Sequence, residues 1–198
     1  MSHLPVFPLS EYYLFPGAAA PLHIFETRYR QMMDDLMDGR GRLVVVPLAT
    51  EPVLGDNGPV LPEVGTLAEV MQHEKMEDGR WMILLLALDR VAITEVPSER
   101  LYRRVRAELL PEPEIASAEG MTLDLRLIEA LRERASGDWD APLNATTGRL
   151  ADVLLHSLPL ELAAKDQAYR ERDPIARAGL ALAWHKTMSL DAEDAGAS

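Results

Sequence analysis

The chain is expected to be an α+β protein, with strands and a single helix up to about residue 112 and helices beyond it. Three observations lead there. Short apolar runs, punctuated by proline and rich in β-branched residues, occupy the first part. Val64–Met76 and Arg80–Val96 flank the turn-forming Glu77-Asp78-Gly79, which is a long β-hairpin signal. After Pro111-Glu112-Pro113 the apolar residues recur at helical spacing instead.

Residues 4–9 and 20–25 are short, proline-punctuated strands, and 42–49 is a β-branched strand that ends beside proline. Between the last two, Tyr29, Met32, Met33, Leu36 and Met37 recur at i, i+3, i+4, i+7 and i+8, the stripe of a helix with one buried face and Gly39 as its stop. At that spacing the methionines belong to the core. Glu51–Pro62 contains the turn cluster Gly55-Asp56-Asn57-Gly58-Pro59. Arg100, Arg103, Arg104 and Arg106 alternate with Leu101, Val105, Ala107 and Leu109, which predicts a half-buried strand with a solvated arginine face.

Beyond the proline-framed linker, Leu123–Ala135 carries Leu127, Ile128 and Leu131 on one stripe. Thr147 is the expected start of a helix bearing Leu150, Val153, Leu154 and Leu158. Asp173 is an N-cap residue with Pro174 at the first helical position, opening a segment with Ala178, Leu182, Trp184 and Met188. The predicted organisation is a strand domain over 1–112, a helical subdomain over 113–190 and a disordered tail over 191–198.

Composition narrows the function. The 47% apolar and 26% charged residues are those of a folded globular chain. Absence of cysteine removes disulfides and thiolate zinc sites, and with no signal-like N-terminus and no long apolar run the expected location is the cytoplasm, with no membrane partner. A net charge of -12 opposes binding to a phosphate backbone, so nucleic acid is not an expected partner. The lysines are Lys75, Lys165 and Lys186, none after a glycine, so a phosphate-binding G-x-x-x-x-G-K-[ST] loop is missing. No serine sits in a glycine-rich nucleophile setting beside a lysine, so no enzyme is expected. His3, His23, His73, His156 and His185 are too far apart for an i, i+4 metal pair, and neither metal nor cofactor is expected.

Leu14-Phe15-Pro16-Gly17, the block Pro21-Leu22-His23-Ile24-Phe25-Glu26-Thr27-Arg28-Tyr29-Arg30, Val64-Gly65-Thr66 and Asp78-Gly79-Arg80 together resemble the substrate-binding N-terminal domain of Lon proteases. The match is good over residues 3–110 and weaker over 121–190, where Leu158-Pro159-Leu160 before a helix resembles the helical extension of bacterial relatives. Thr27 replaces a proline, and Ala87 a glycine, that these relatives usually carry. The resemblance implies a PUA-like β-barrel with one inserted helix, followed by a C-terminal helical bundle. In Lon proteases this domain precedes an AAA+ motor and a serine-lysine peptidase. The chain ends at residue 198, where a motor would follow, so the resemblance implies the stand-alone bacterial type.

What the resemblance implies is a non-catalytic module that binds exposed peptide segments or unfolded proteins and presents them to a separate ATP-dependent protease. Strand edges and a groove beside a barrel suit an extended chain, and paired edges would also make a homodimer. The expected binding residues are Tyr12, Tyr13 and Phe15, three aromatic rings between turn-prone Ser10 and Pro16-Gly17, together with His23, Glu26 and Arg28. The alternative is a PUA-like domain binding RNA, or holding a small molecule in an aromatic cage, but Trp81, Trp139 and Trp184 are scattered over a strand, a loop and the last helix and read as core or surface filling.

Overall fold

The computed structural model describes residues 3–113, 115, 118–135, 141 and 145–196. Trp139 and the last two residues of the expected tail lie outside them. The chain forms two units, Met1–Pro111 and Glu112–Ser198.

The first unit contains β1 (His3–Ser10), β2 (Ala19–Ile24), α1 (Thr27–Met37), β3 (Arg42–Leu48), the two-residue β4 (Leu54–Gly55) and β5 (Gly58–Pro59), β6 (Val64–Lys75), β7 (Trp81–Val96) and β8 (Arg104–Leu109). β7 follows β6 as an antiparallel hairpin, from Val64↔Ala92 to Lys75↔Trp81. β6 pairs with β3, β3 runs parallel to β1, and β1 is antiparallel to β8. β8 returns to the second half of β7, from Val91↔Leu109 to Val96↔Arg104. Hydrogen bonding therefore runs round a circuit of five strands. β2 stands outside it, paired with the first half of β7 alone.

Alternation along the strands separates two apolar clusters. Val6, Val44, Val46, Val91 and Val105, with Leu67 against them, draw on all five strands of the circuit. The neighbouring residues Phe7, Leu43, Val45, Ala68, Ile83 and Leu85 project into the other cluster, which α1 covers with Tyr29, Met32, Met33 and Leu36. The methionine stripe is core, as its spacing requires; Met32 and Met33 are fully buried. Each such side chain contributes about 1.5–3 kcal/mol by leaving water.

Some local details differ from the expectation. α1 ends at Met37 with Asp38 as its C-cap, and the residue with left-handed backbone is Gly41 (φ 64) rather than Gly39. The turn cluster at 55–59 carries a small ladder, Leu54↔Pro59 and Gly55↔Gly58.

The second unit contains α2 (Ala118–Arg134), α3 (Thr147–Ser157), α4 (Leu162–Arg170) and α5 (Pro174–Gly196). Thr146, not Thr147, caps α3: its side chain accepts from Arg149 N–H, while Thr147 is helical and buried. Asp173 caps α5 as expected, accepting from Ile175 N–H at 3.0 Å. The buried stripe of α5 is Pro174, Arg177, Ala178, Ala181, Leu182 and His185, so it includes two polar residues, while Trp184 and Met188 are half-buried. α5 continues to Gly196, through most of the segment expected to be a disordered tail; alanine and glutamate there are good helix formers.

Candidate functional site

β2 is an edge strand whose outer side no other strand covers among the described residues. Its alternation turns Ala20 and Ile24 into the core and leaves Ala19, Pro21 and His23 exposed. Proline suits such an edge because it has no N–H to lose from a ladder. Across to β7, Ala19 lies opposite Leu86, Pro21 opposite Leu84 and His23 opposite Met82; on the far side of β7, Glu74 of β6 is opposite Met82 and Gln72 is opposite Leu84. The outer face of these three strands is thus an apolar strip on β7 with Ala19, Pro21 and His23 of β2 on one side and polar Gln72 and Glu74 of β6 on the other.

At one end of the strip stand two large exposed apolar side chains, Phe25 at 62% and Met82 at 44% exposure. Phe25 follows β2 directly, and its ring centroid is 6.0 Å from that of His23. Met71, in the irregularity where β6 slips register between Val70 and Gln72, is exposed as well. Such bulges re-aim a side chain out of a regular ladder.

Glu26 precedes α1 as its N-cap residue without a side-chain capping bond, and its carboxylate pairs with Arg28 at 2.8 Å. The Arg28 guanidinium lies 4.6 Å from the centre of the Tyr29 ring. At the hairpin end, Trp81 is covered by the His73 ring at 5.7 Å and by Lys75 Nζ at 5.0 Å. Lys75 also reaches Asp34 of α1 at 2.5 Å. Gly79 in the turn has φ 81, a backbone conformation that favours glycine, and the Arg30 guanidinium lies over it.

Three of the six expected binding residues, His23, Glu26 and Arg28, are exposed and lie along β2 and the start of α1. The aromatic trio behaves differently. Phe15 is 1% exposed and belongs to the interior, which corrects the expectation of a ring held out on a loop. The segment is drawn inward because Thr66 Oγ1 donates to Leu14 O at 2.7 Å, Gly17 N–H donates to Ala87 O, and Ala87 N–H donates to Ala18 O, both at 2.9 Å. Tyr12 and Tyr13 are half-buried, Tyr12 packs on the α1 cluster, and burial raises its phenol pKa. Trp81 is 6% exposed and Trp184 half-buried on α5, so neither stands open as a cage wall.

Phe25 and Met82 were missed. Phe25 reads as the end of an apolar strand, and Met82 as one of an unbroken apolar run; only the pairing of β2 with β7 turns Met82 to the outer face.

Among the described residues no group of three His, Asp or Glu side chains could hold a metal ion, and no helix is long and apolar enough to cross a membrane. The model of the LON substrate-binding domain of ATP-dependent protease La matches residues 3–184. The chain belongs to the LON substrate-binding domain family. Two solved structures of Lon N-terminal domains share the fold: one from the Mycobacterium avium complex Lon protease (TM-score 0.70, 20% identity, 93% of this chain and 98% of that one) and one from Xanthomonas campestris (TM-score 0.64, 21% identity, 93% and 99%). Curated relatives include Lon protease 2 of Syntrophobacter fumaroxidans, 29% identical over 160 residues, and Lon protease of Escherichia coli K12, 25% identical over 182 residues. These alignments take in 81% and 86% of this chain but 18% and 23% of those proteins, so this LON domain spans about a fifth of their length.

Proposed function

We propose that this LON substrate-binding domain recognises exposed segments of unfolded polypeptide and presents them to a separate ATP-dependent protease. The observation that carries the reading is the open edge of β2 beside exposed Phe25 and Met82. An extended segment can add to such an edge through its backbone while its side chains meet the apolar strip of β7. Tyr12, Tyr13, His23, Glu26 and Arg28 flank this surface in the proposal as adjustable polar and aromatic contacts. Phe15 acts there only by supporting the loop from within.

Two arginines, Arg103 just before β8 and Arg106 within it, are engaged by carboxylates, which favours a protein ligand over RNA on their side of the strand. Arg103 is held by Glu95 at 2.5 Å and donates to Pro59 O at 2.6 Å, and Arg106 is 3.7 Å from Glu108. Guanidiniums neutralised by carboxylates release few counterions from a phosphate backbone.

The test is fluorescence anisotropy of labelled casein with the full chain and with a Phe25→Ser, Met82→Ser double variant. The expected result is a weakening of roughly tenfold or more at unchanged melting temperature, the scale at which well-packed apolar anchors act. Unchanged affinity in the variant would overturn the assignment of this surface.

A further inference from the structure

A second concave region of the first unit lies away from β2, between the carboxyl end of α1 and the starts of β1, β3 and β8. Its cavity is about 580 Å³ and its lining includes Leu4, Leu36 and Leu67. The same lining includes four arginines, Arg40, Arg42, Arg100 and Arg104, with Asp35 and Asp38 as the lining carboxylates. In a chain of net charge -12 this concentration of cations is unusual.

The ion pairs do not consume it. Asp35 is held by the Tyr102 hydroxyl at 2.8 Å and lies 3.5 Å from Arg100. Arg42 pairs with Glu69 at 2.7 Å. Arg104 donates to the backbone oxygen of His3 at 2.9 Å, and its Nε is buried with no hydrogen-bond partner among the described residues. Arg40 is exposed, two residues past the Asp38 C-cap of α1, and no carboxylate is paired with it among the described residues. Arg40 and Arg104 thus remain outside any ion pair among the described residues, with Asp38 as the one lining carboxylate not engaged, so cations exceed carboxylates by one around the cavity. The carbonyls at the carboxyl end of α1 repel an anion, which places the favourable position toward β3 and β8.

We propose that this groove selects carboxylate-rich segments of the bound polypeptide, taking acidic side chains on Arg40 and Arg104 and their apolar neighbours on the lining leucines. The inference rests on the polypeptide-binding reading above. Arginine suits the task because its planar fork meets a carboxylate with two parallel hydrogen bonds. It gives the domain a chemical preference that the apolar strip of β7 lacks.

The probes are two fluorescein-labelled peptides, one alternating leucine with glutamate and the other leucine with glutamine. The glutamate peptide is expected to bind more tightly, with the difference shrinking as salt is raised. Arg40→Glu, at an exposed position, is expected to weaken the glutamate peptide roughly tenfold, as an introduced like charge does at a complementary surface, and Arg40→Lys to retain most of the affinity. Phe25→Ser with Met82→Ser should leave the preference intact. Casein bound normally with both peptides equal, an Arg40→Glu chain that still prefers glutamate, or an oligouridylate displacing the peptide at stoichiometric amounts would each overturn this inference alone. Failure of casein and both peptides to bind would overturn the polypeptide reading with it.

Discussion

Arg177 Nε of α5 lies 2.9 Å from Asp152 Oδ1 of α3, with the two side chains 0% and 2% exposed. The N–H points off the carboxylate, so the contact is charge against charge rather than a hydrogen bond. The same guanidinium pairs with Glu112 and donates to Glu171 O at 2.7 Å. One buried cation thus joins α3, α5 and the segment that follows Pro111.

Asp152→Ala leaves this guanidinium short of a counter-charge in a dry site. The expected loss is about 3–5 kcal/mol of unfolding free energy, the usual result of breaking one side of a buried pair. Replacing both partners, Asp152→Leu with Arg177→Met, should recover much of it. Urea unfolding followed by circular dichroism measures both; a single variant as stable as the parent would contradict the burial.

Gly65 of β6 is a space requirement. A Cβ there would stand 2.6 Å from Val44 Cγ1 and 2.9 Å from Val46 Cγ1. Gly65→Ala is expected to cost about 1–3 kcal/mol by overpacking, although alanine is otherwise easier to order than glycine. Val44→Ala in the same chain should relieve part of the strain, and thermal melts of the two variants and their combination measure that coupling.

Tyr102 predicts behaviour in alkali. Burial, then the bond to the Asp35 carboxylate and its charge, push the phenol from 10 up to about 12. A raised folded-state value means that its contribution to stability is complete below pH 10 and is lost as pH rises from 10 toward 12. Tyr102→Phe should flatten that part of the stability curve, read as urea midpoints between neutrality and high pH. An identical alkaline slope in the variant would remove Tyr102 as the cause.

Thr146→Ala is expected to cost about 1 kcal/mol through loss of the α3 cap, whereas Thr146→Ser should be nearly silent. Thermal unfolding separates the two, and equal losses would argue against a capping role.

How much was legible follows from the range of each interaction. Alternating and helical periods depend on residues two to four apart, so the strands, the methionine stripe of α1 and the Asp173-Pro174 start of α5 could be read directly. His23, Glu26 and Arg28 could be named only as positions of the motif block; that they lie exposed along β2 and the start of α1 required the structure. Phe15 was misplaced because its burial depends on hydrogen bonds from Thr66 and Ala87, far along the chain.

The amino-acid order by itself determined the α+β class, the change from strands to helices near Pro111 and, through its motif blocks, the family. Tertiary structure alone decided that β8 returns to β7, that β2 lies at the edge of the sheet, beside Phe25 and Met82, with no further strand on it among the described residues, and that Arg177 is enclosed by Asp152 and Glu112. The reason is physical: a local pattern states which face of an element is apolar, but edges, grooves and buried charges exist only once distant elements have paired.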